Sequence, residues 1–258
     1  MPKSNHFIRI KSHNLLYGRI PKAANSSIKA ALCQLLNDKP PTGTRTTSDK
    51  FWQHGTNRET ELISLRRAHW YRRSHFSFSF VRNPFDRLVA AYNNKVIENE
   101  APPMPMQRMG ITHGMPFEAF IDILIKTPLE KYDVHVLPQS KLLCIGNKII
   151  PKFVGRVEQI SLHWQELHEI LSRRGTNVAE SLPTKNVRRS NRQDLHFYFS
   201  SDKIIAMATQ IYADDFRFFY NDVSIDHLLR NDPLPSIKTI QSRSLMFSKW
   251  LKGDGLRG

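Results

Sequence analysis

The stretch Asn14-Leu15-Leu16-Tyr17-Gly18-Arg19-Ile20-Pro21-Lys22-Ala23-Ala24-Asn25-Ser26-Ser27-Ile28-Lys29-Ala30-Ala31-Leu32-Cys33-Gln34-Leu35-Leu36 decides how this chain folds. Its first seven residues, 14–20, form a short apolar run that reads as a buried strand. Residues 27–36 put Ile28, Ala31, Leu32 and Leu35 on one face at helical spacing. The loop between them brings Lys22, the hydroxyls of Ser26 and Ser27 and several backbone amides to a helix N-terminus. Orphan N–H groups and the helix dipole both favour negative charge there, so the loop reads as an anion site. It is not a Walker A loop, because G-x-x-x-x-G-K-[ST] is absent.

The strand–loop–helix order recurs outward from this stretch. Residues 75–81 alternate Phe76, Phe78 and Phe80 with Ser77 and Ser79, the period of a strand with core-facing phenylalanines. Pro84 then opens a helix over residues 85–97. Further helices are expected over 117–125, 160–173 and 201–220, and a strand over 152–157. Residues 39–57, the three-proline stretch 101–106 and the basic stretch 176–192 read as loops, and the chain from Val223 as a surface wrap. The βα order predicts an α/β fold, a P-loop-like three-layer domain with a central, mainly parallel sheet flanked by helices. Residues 1–222 form this domain, with 223–258 as a C-terminal extension packing on or trailing from it. Ligands of such sheets bind at the carboxyl ends of the strands, where both the Lys22 loop and Arg82 fall.

Composition narrows the class. The 258 residues carry 38 Lys and Arg against 23 Asp and Glu, a formal charge of +15, which attracts polyanions or an anionic ligand. The basic residues are dispersed rather than gathered in an arm. The two cysteines, Cys33 and Cys144, sit in apolar surroundings, as buried thiols of a reducing compartment do. No run approaches the roughly 18 apolar residues of a membrane span, and residues 1–11 lack the apolar core of a signal peptide. A cytoplasmic protein is the expectation.

A second constellation, Val81-Arg82-Asn83-Pro84-Phe85-Asp86-Arg87-Leu88, sets Arg82 where a strand ends and a helix begins. Its planar, permanently charged fork suits a phosphate. Arg87, one turn on, is expected to pair with Asp86 or a nearby carboxylate, and Arg156 with Glu158.

Pro21-Lys22-x-x-x-Ser26-Ser27 followed by this second constellation resembles the carbohydrate sulfotransferases that use 3′-phosphoadenosine 5′-phosphosulfate (PAPS), of the family 2, chondroitin type. Asp133-Val134-His135-Val136-Leu137-Pro138-Gln139, Phe153-Val154-Gly155-Arg156-Val157-Glu158 and Tyr212-Ala213-Asp214-Asp215-Phe216 with Phe219-Tyr220 are similar to further segments of that family, in the same order. The resemblance spans roughly residues 14–221. It implies sulfuryl transfer from PAPS to a hydroxyl of a saccharide or glycoconjugate, polyanionic or not, with adenosine 3′,5′-bisphosphate as product. The animal members of that family are membrane-anchored, and with no anchor in this sequence the chain is expected to be a cytoplasmic member of bacterial type or an isolated catalytic domain. Pro21, Lys22, Ala23, Ala24, Asn25, Ser26 and Ser27 would cradle the 5′-phosphosulfate, and Arg82 the 3′-phosphate. The family's usual serine on the following helix is Ala90 here, so Asn93, Arg188, Ser190 or Arg192 is expected to take over that contact.

Lys22 and His135 are the catalytic candidates, Lys22 for charge on the leaving phosphate and His135 as general base. Asp133 or a neighbouring carbonyl would set the imidazole tautomer. His75, His69 and Glu158 are reserves. No compact His/Cys/Asp spacing calls for a metal. The other readings are a P-loop-type nucleotide kinase and a non-catalytic basic nucleic-acid-binding protein, though no nucleic-acid-binding motif is present.

Overall fold

The computed structural model describes residues 5–183, 195–234 and 240–241. The chain opens with an antiparallel hairpin, β1 (Phe7–Ile10) and β2 (Leu15–Gly18), followed by α1 (Asn25–Leu32). Next come α2 (Asp49–His54), β3 (Thr60–Ile63), α3 (Leu65–Tyr71), β4 (Phe76–Val81), α4 (Pro84–Tyr92), α5 (Met104–Arg108) and α6 (Phe117–Lys126). Beyond them lie α7 (Gln139–Leu143), the small hairpin β5 (Cys144–Ile145) and β6 (Lys148–Ile149), β7 (Phe153–Arg156) and α8 (Ile160–Ser172). The described chain closes with α9 (Leu195–Tyr198), α10 (Asp202–Ile211), α11 (Ala213–Phe219), α12 (Ile225–Arg230) and β8 (Ile240–Gln241).

The central sheet has the order β3-β1-β2-β4-β7-β8. β2, β4 and β7 pair in parallel, and β3, antiparallel to β1, runs the same way as they do. Only β1 and β8 run opposite, so the expected mainly parallel α/β sheet is found. Its two faces are both covered, which makes three layers. One face packs Ile8, Tyr17, Phe78 and Phe153 against α1, α2 and α8 through Ile28, Trp52, Trp164 and Leu167. The other packs Phe7, Leu16 and Val154 under α4, α6, α10 and α11 through Phe85, Leu88, Phe120 and Phe216. Every residue of β4 is buried, the serines included. Ser79 Oγ donates to Gly18 O at 2.7 Å and Ser77 Oγ to Ile150 O at 3.4 Å, so neither hydroxyl is left unpaired. Gly155 lets β7 lie under the Phe80 ring, where a Cβ would come within 2.5 Å of it.

Several elements differ from the sequence reading. β1, β3 and α3 emerge where no element was expected, and α2 lies inside the predicted loop 39–57, capped by Ser48 and anchored by buried Phe51 and Trp52. The three-proline stretch starts α5, because Pro105 occupies its first turn, where a missing N–H costs nothing. The helix after Pro84 changes at Tyr92 into a π turn over Asn93–Ile97. The long helix over 201–220 is broken at Tyr212, whose hydroxyl reaches Val136 O at 2.7 Å. The chain beyond Val223 forms α12, and Leu228, Leu229 and Leu234 are buried in the core rather than wrapped over it. Cys33 is buried, and Cys144 half-buried rather than fully so.

Candidate functional site

The carboxyl ends of β2, β4 and β7 deliver Arg19, Arg82 and the Arg156–Glu158 turn to one edge of the sheet. After β2 the chain turns through two left-handed residues, Lys22 (φ 69°) and Ala24 (φ 54°), and enters α1. Ala24 gives α1 no side-chain cap, and the first helical turn holds no acidic residue. The first amide bonded back into the helix is Ile28 N, to Ala24 O at 3.1 Å, so those of Asn25, Ser26 and Ser27 have no acceptor within it. Asn25 Oδ1 accepts from Tyr17 Oη at 3.2 Å, which pins the start of α1 to β2. Lys22 Nζ donates to Asn94 Oδ1 on the π turn.

Arg82 is both an ion-pair partner and a tether. Its Nε meets Asp86 Oδ2 at 2.7 Å, and its guanidinium donates to Lys22 O at 3.0 Å. The turn below it is held by backbone contacts. Asn83 Oδ1 caps α4 by accepting from Phe85 N, while Asn83 N donates to Glu158 Oε1. Glu158 Oε2 accepts from Tyr220 Oη at 3.0 Å, and burial pushes this carboxyl above its ordinary range. Glu158 thus supports the Arg82 turn and does not pair with Arg156. Arg156 instead holds Phe219 O and Asp222.

Arg87 also departs from expectation. It is fully buried, and it donates to three backbone carbonyls: Pro21 O at 3.0 Å, Leu137 O at 3.0 Å and Val134 O at 3.3 Å. One guanidinium therefore fastens the Lys22 loop to the His135 loop. The His135 loop is fixed from below as well. Gln139 exchanges two amide hydrogen bonds with the Arg82 backbone, both at 2.9 Å. Asp215, fully buried, accepts from Gln139 N and Ser140 N at the start of α7, at 2.8 and 2.7 Å. A carboxylate there meets the positive end of the helix, although burial still drives its pKa upward.

His135 remains partly exposed, with its Nδ1 2.7 Å from Asp133 Oδ1. Burial alone would raise the Asp133 carboxyl, but hydrogen bonds and charge from His135 hold it below its ordinary value. An ionised carboxylate only accepts, so Nδ1 carries a proton, and in the neutral imidazole Nε2 is then the acceptor nitrogen. Of the reserves, His75 lies at the other end of β4, where its Nε2 accepts from Arg9 Nε at 2.9 Å, and His69 sits on α3, away from this edge.

Ala90 lies on the α4 face between Asp86 and Asn94, without a hydroxyl. Asn93 exchanges two hydrogen bonds with Tyr198 Oη, at 2.8 and 3.0 Å. Arg188, Ser190 and Arg192 lie outside the described residues. Asn94 was not singled out from sequence. Its signal is helical spacing, since Asp86, Ala90 and Asn94 recur every four residues.

A strand-end loop with an uncapped helix start, an arginine beside it and a histidine oriented by a carboxylate lie together at this edge of the sheet. Residues 5–221 match the sulfotransferase family, and the chain belongs to it. Carbohydrate sulfotransferase 10 of Danio rerio is 26% identical over 235 residues, 80% of this chain and 64% of that protein. The chain thus spans a little under two thirds of that relative's length. No solved structure matches. The family does not favour the nucleotide-kinase or nucleic-acid-binding readings. Among the described residues no helix is long and apolar enough to cross a membrane.

Proposed function

We propose that this chain transfers a sulfuryl group from PAPS to a hydroxyl of a saccharide, leaving adenosine 3′,5′-bisphosphate. The observation that carries the reading is the Arg87 guanidinium, which joins the carbonyls of Pro21, Val134 and Leu137 and so sets an anion loop beside a histidine. PAPS, when bound, supplies an activated sulfuryl group on a phosphate leaving group. The residues fit such an anion: α1 begins uncapped and without an acidic residue in its first turn, and Lys22 and Arg82 flank its entry. The amides of Ala24 to Ser27, with the hydroxyls of Ser26 and Ser27, would hold the 5′-phosphate beside Pro21 and Ala23, whose own amide is given to Ile20 O. Lys22 would leave Asn94 to stabilise charge on that phosphate. Arg82 would hold the 3′-phosphate, with Arg188, Ser190 or Arg192 in place of a hydroxyl at Ala90. His135 Nε2 would take the proton of the acceptor hydroxyl while Asp133 steadies the resulting imidazolium.

Two free cysteines suit a reducing compartment, and we place the protein in the cytoplasm. Residues 223–234 belong, in this reading, to the same domain, since Leu228 and Leu229 share its core. Calorimetry with adenosine 3′,5′-bisphosphate, paired with a transfer assay on His135→Ala, tests the proposal. Binding should be saturable, and the variant should retain it while losing about 100-fold or more in turnover. No binding at millimolar ligand would end the PAPS reading, and a near-wild-type rate would move the base elsewhere.

A further inference from the structure

The edge of the sheet opposite the Lys22 loop carries a second cationic surface that the transfer reading leaves unused. β4 runs six residues from Phe76 to Val81, so its start lies about 20 Å from Arg82 at ~3.3 Å per residue. Arg72 and Arg73 lie just before β4, Lys152 just before β7, and Arg174 at the end of α8 with its guanidinium 5.1 Å from the centroid of the Phe76 ring. These groups share one field: burial, and then the charges of Arg174 and Arg72, depress the Lys152 ammonium. Trp70 lies near the end of α3 that leads down to the start of β4, and Arg73 follows just beyond that helix; both are exposed. The carboxylate beside α3, Glu61, is already shared by Arg9 and Arg67.

Trp70 stands in the middle of this surface with 83% of its area exposed. Among the described residues it takes no ring partner and no hydrogen bond. The β5–β6 hairpin lies against α3 and adds Ile145, itself 38% exposed. An indole left in water beside arginines is poorly placed in a purely aqueous setting and well placed at a bilayer interface. There its apolar body enters the headgroup layer while guanidinium groups meet anionic lipid. A soluble polyanion would satisfy the arginines but leave the indole and Ile145 exposed. A single-stranded nucleic acid calls for successive aromatic platforms, and the second apolar group here is aliphatic.

We propose that the face formed by Trp70, Arg73, Ile145, Lys152 and Arg174 docks the protein on the surface of an anionic membrane, with the Lys22 edge turned away from the bilayer. Sedimentation of the full chain with extruded phosphatidylcholine vesicles, plain or containing about 30% phosphatidylserine, tests this. Binding is expected to the anionic vesicles only, and to weaken as salt rises. Trp70→Ala should weaken it about tenfold, and Arg73→Gln with Arg174→Gln about 25-fold, near fivefold per cation. Unchanged melting temperatures would show that these surface variants keep the fold. Failure to bind anionic vesicles, or binding indifferent to Trp70, overturns the proposal. So does Trp70-dependent binding of heparin or single-stranded DNA by a protein that ignores vesicles.

Discussion

At the scale of single residues, the Lys22 loop combines charge with conformational tension. Lys22 and Ala24 both occupy the left-handed region, where an L side chain costs roughly 1–2 kcal/mol. The cost is tolerated because Arg82 and Arg87 grip the carbonyls of Lys22 and Pro21. At Ala24 the methyl group adds strain and makes no cap, so Ala24→Gly should stabilise the protein by about 0.5–1 kcal/mol. In a domain of this size that is a rise in melting temperature of about 1–4 °C, and a fall would show that the methyl packs usefully. Lys22 is different, because its value lies in the ammonium. Lys22→Ala keeps the backbone contacts that Arg82 makes, so melting should shift little. Sulfuryl transfer should drop by about 100- to 1,000-fold, the size of effect seen when one charge-stabilising donor is removed from an oxyanion hole. Turnover close to wild type would take Lys22 out of the chemistry.

At the scale of elements, the loops are held to one another mainly through backbone atoms, and this sets what was legible in the sequence. The strand–loop–helix units around Lys22 and Arg82 could be read from apolar spacing and from Pro84, because those signals are local. The partners of Arg87, Arg156 and Glu158 could not. A buried arginine fastened to three carbonyls leaves no trace in the side chains at either end, and sequence reasoning offered it a carboxylate instead. The edge strand β3 and its neighbour β1 were missed because each is only four residues long and, unlike the equally short β2 and β7, lies next to no motif that marks a strand end. Glu158 gives an element-level test. It braces the β4–α4 turn through Asn83 N and α11 through Tyr220, and burial raises its pKa above the ordinary 4.5. A carboxyl raised in the folded state contributes stability that is full below about pH 4.5 and is lost as pH climbs through the folded value. Glu158→Gln removes that loss. The variant's melting temperature relative to wild type should therefore improve from pH 4.5 to pH 7.5. A difference that stays constant with pH would mean that Glu158 is not the titrating group.

At the scale of the whole molecule, a formal charge of +15 repels itself, and an anionic ligand at the Lys22 edge relieves part of that repulsion as well as adding contacts. The sheet order and the two covered faces follow from long-range packing between elements that were each visible only in part, and the same packing makes the site a property of the domain. Ligand binding should therefore be reported by global melting. At 100 times its dissociation constant a ligand that binds only the folded state adds about 2.7 kcal/mol, or roughly 5–10 °C in a domain of this length. Adenosine 3′,5′-bisphosphate should produce such a shift, and adenosine 5′-monophosphate a smaller one, because it lacks the phosphate assigned to Arg82. Arg82→Ala should bring the two shifts together, which separates recognition of the 3′-phosphate from binding at the Lys22 loop. Raising salt from about 0.1 M to 1 M shortens the screening length from about 10 Å to 3 Å, so the bisphosphate shift should shrink. Differential scanning fluorimetry with both nucleotides, on wild type and Arg82→Ala, measures all of these. Equal shifts from the two nucleotides in the wild-type protein would remove Arg82 from the 3′-phosphate, and no shift from either would place the bound anion somewhere other than the carboxyl edge of the sheet.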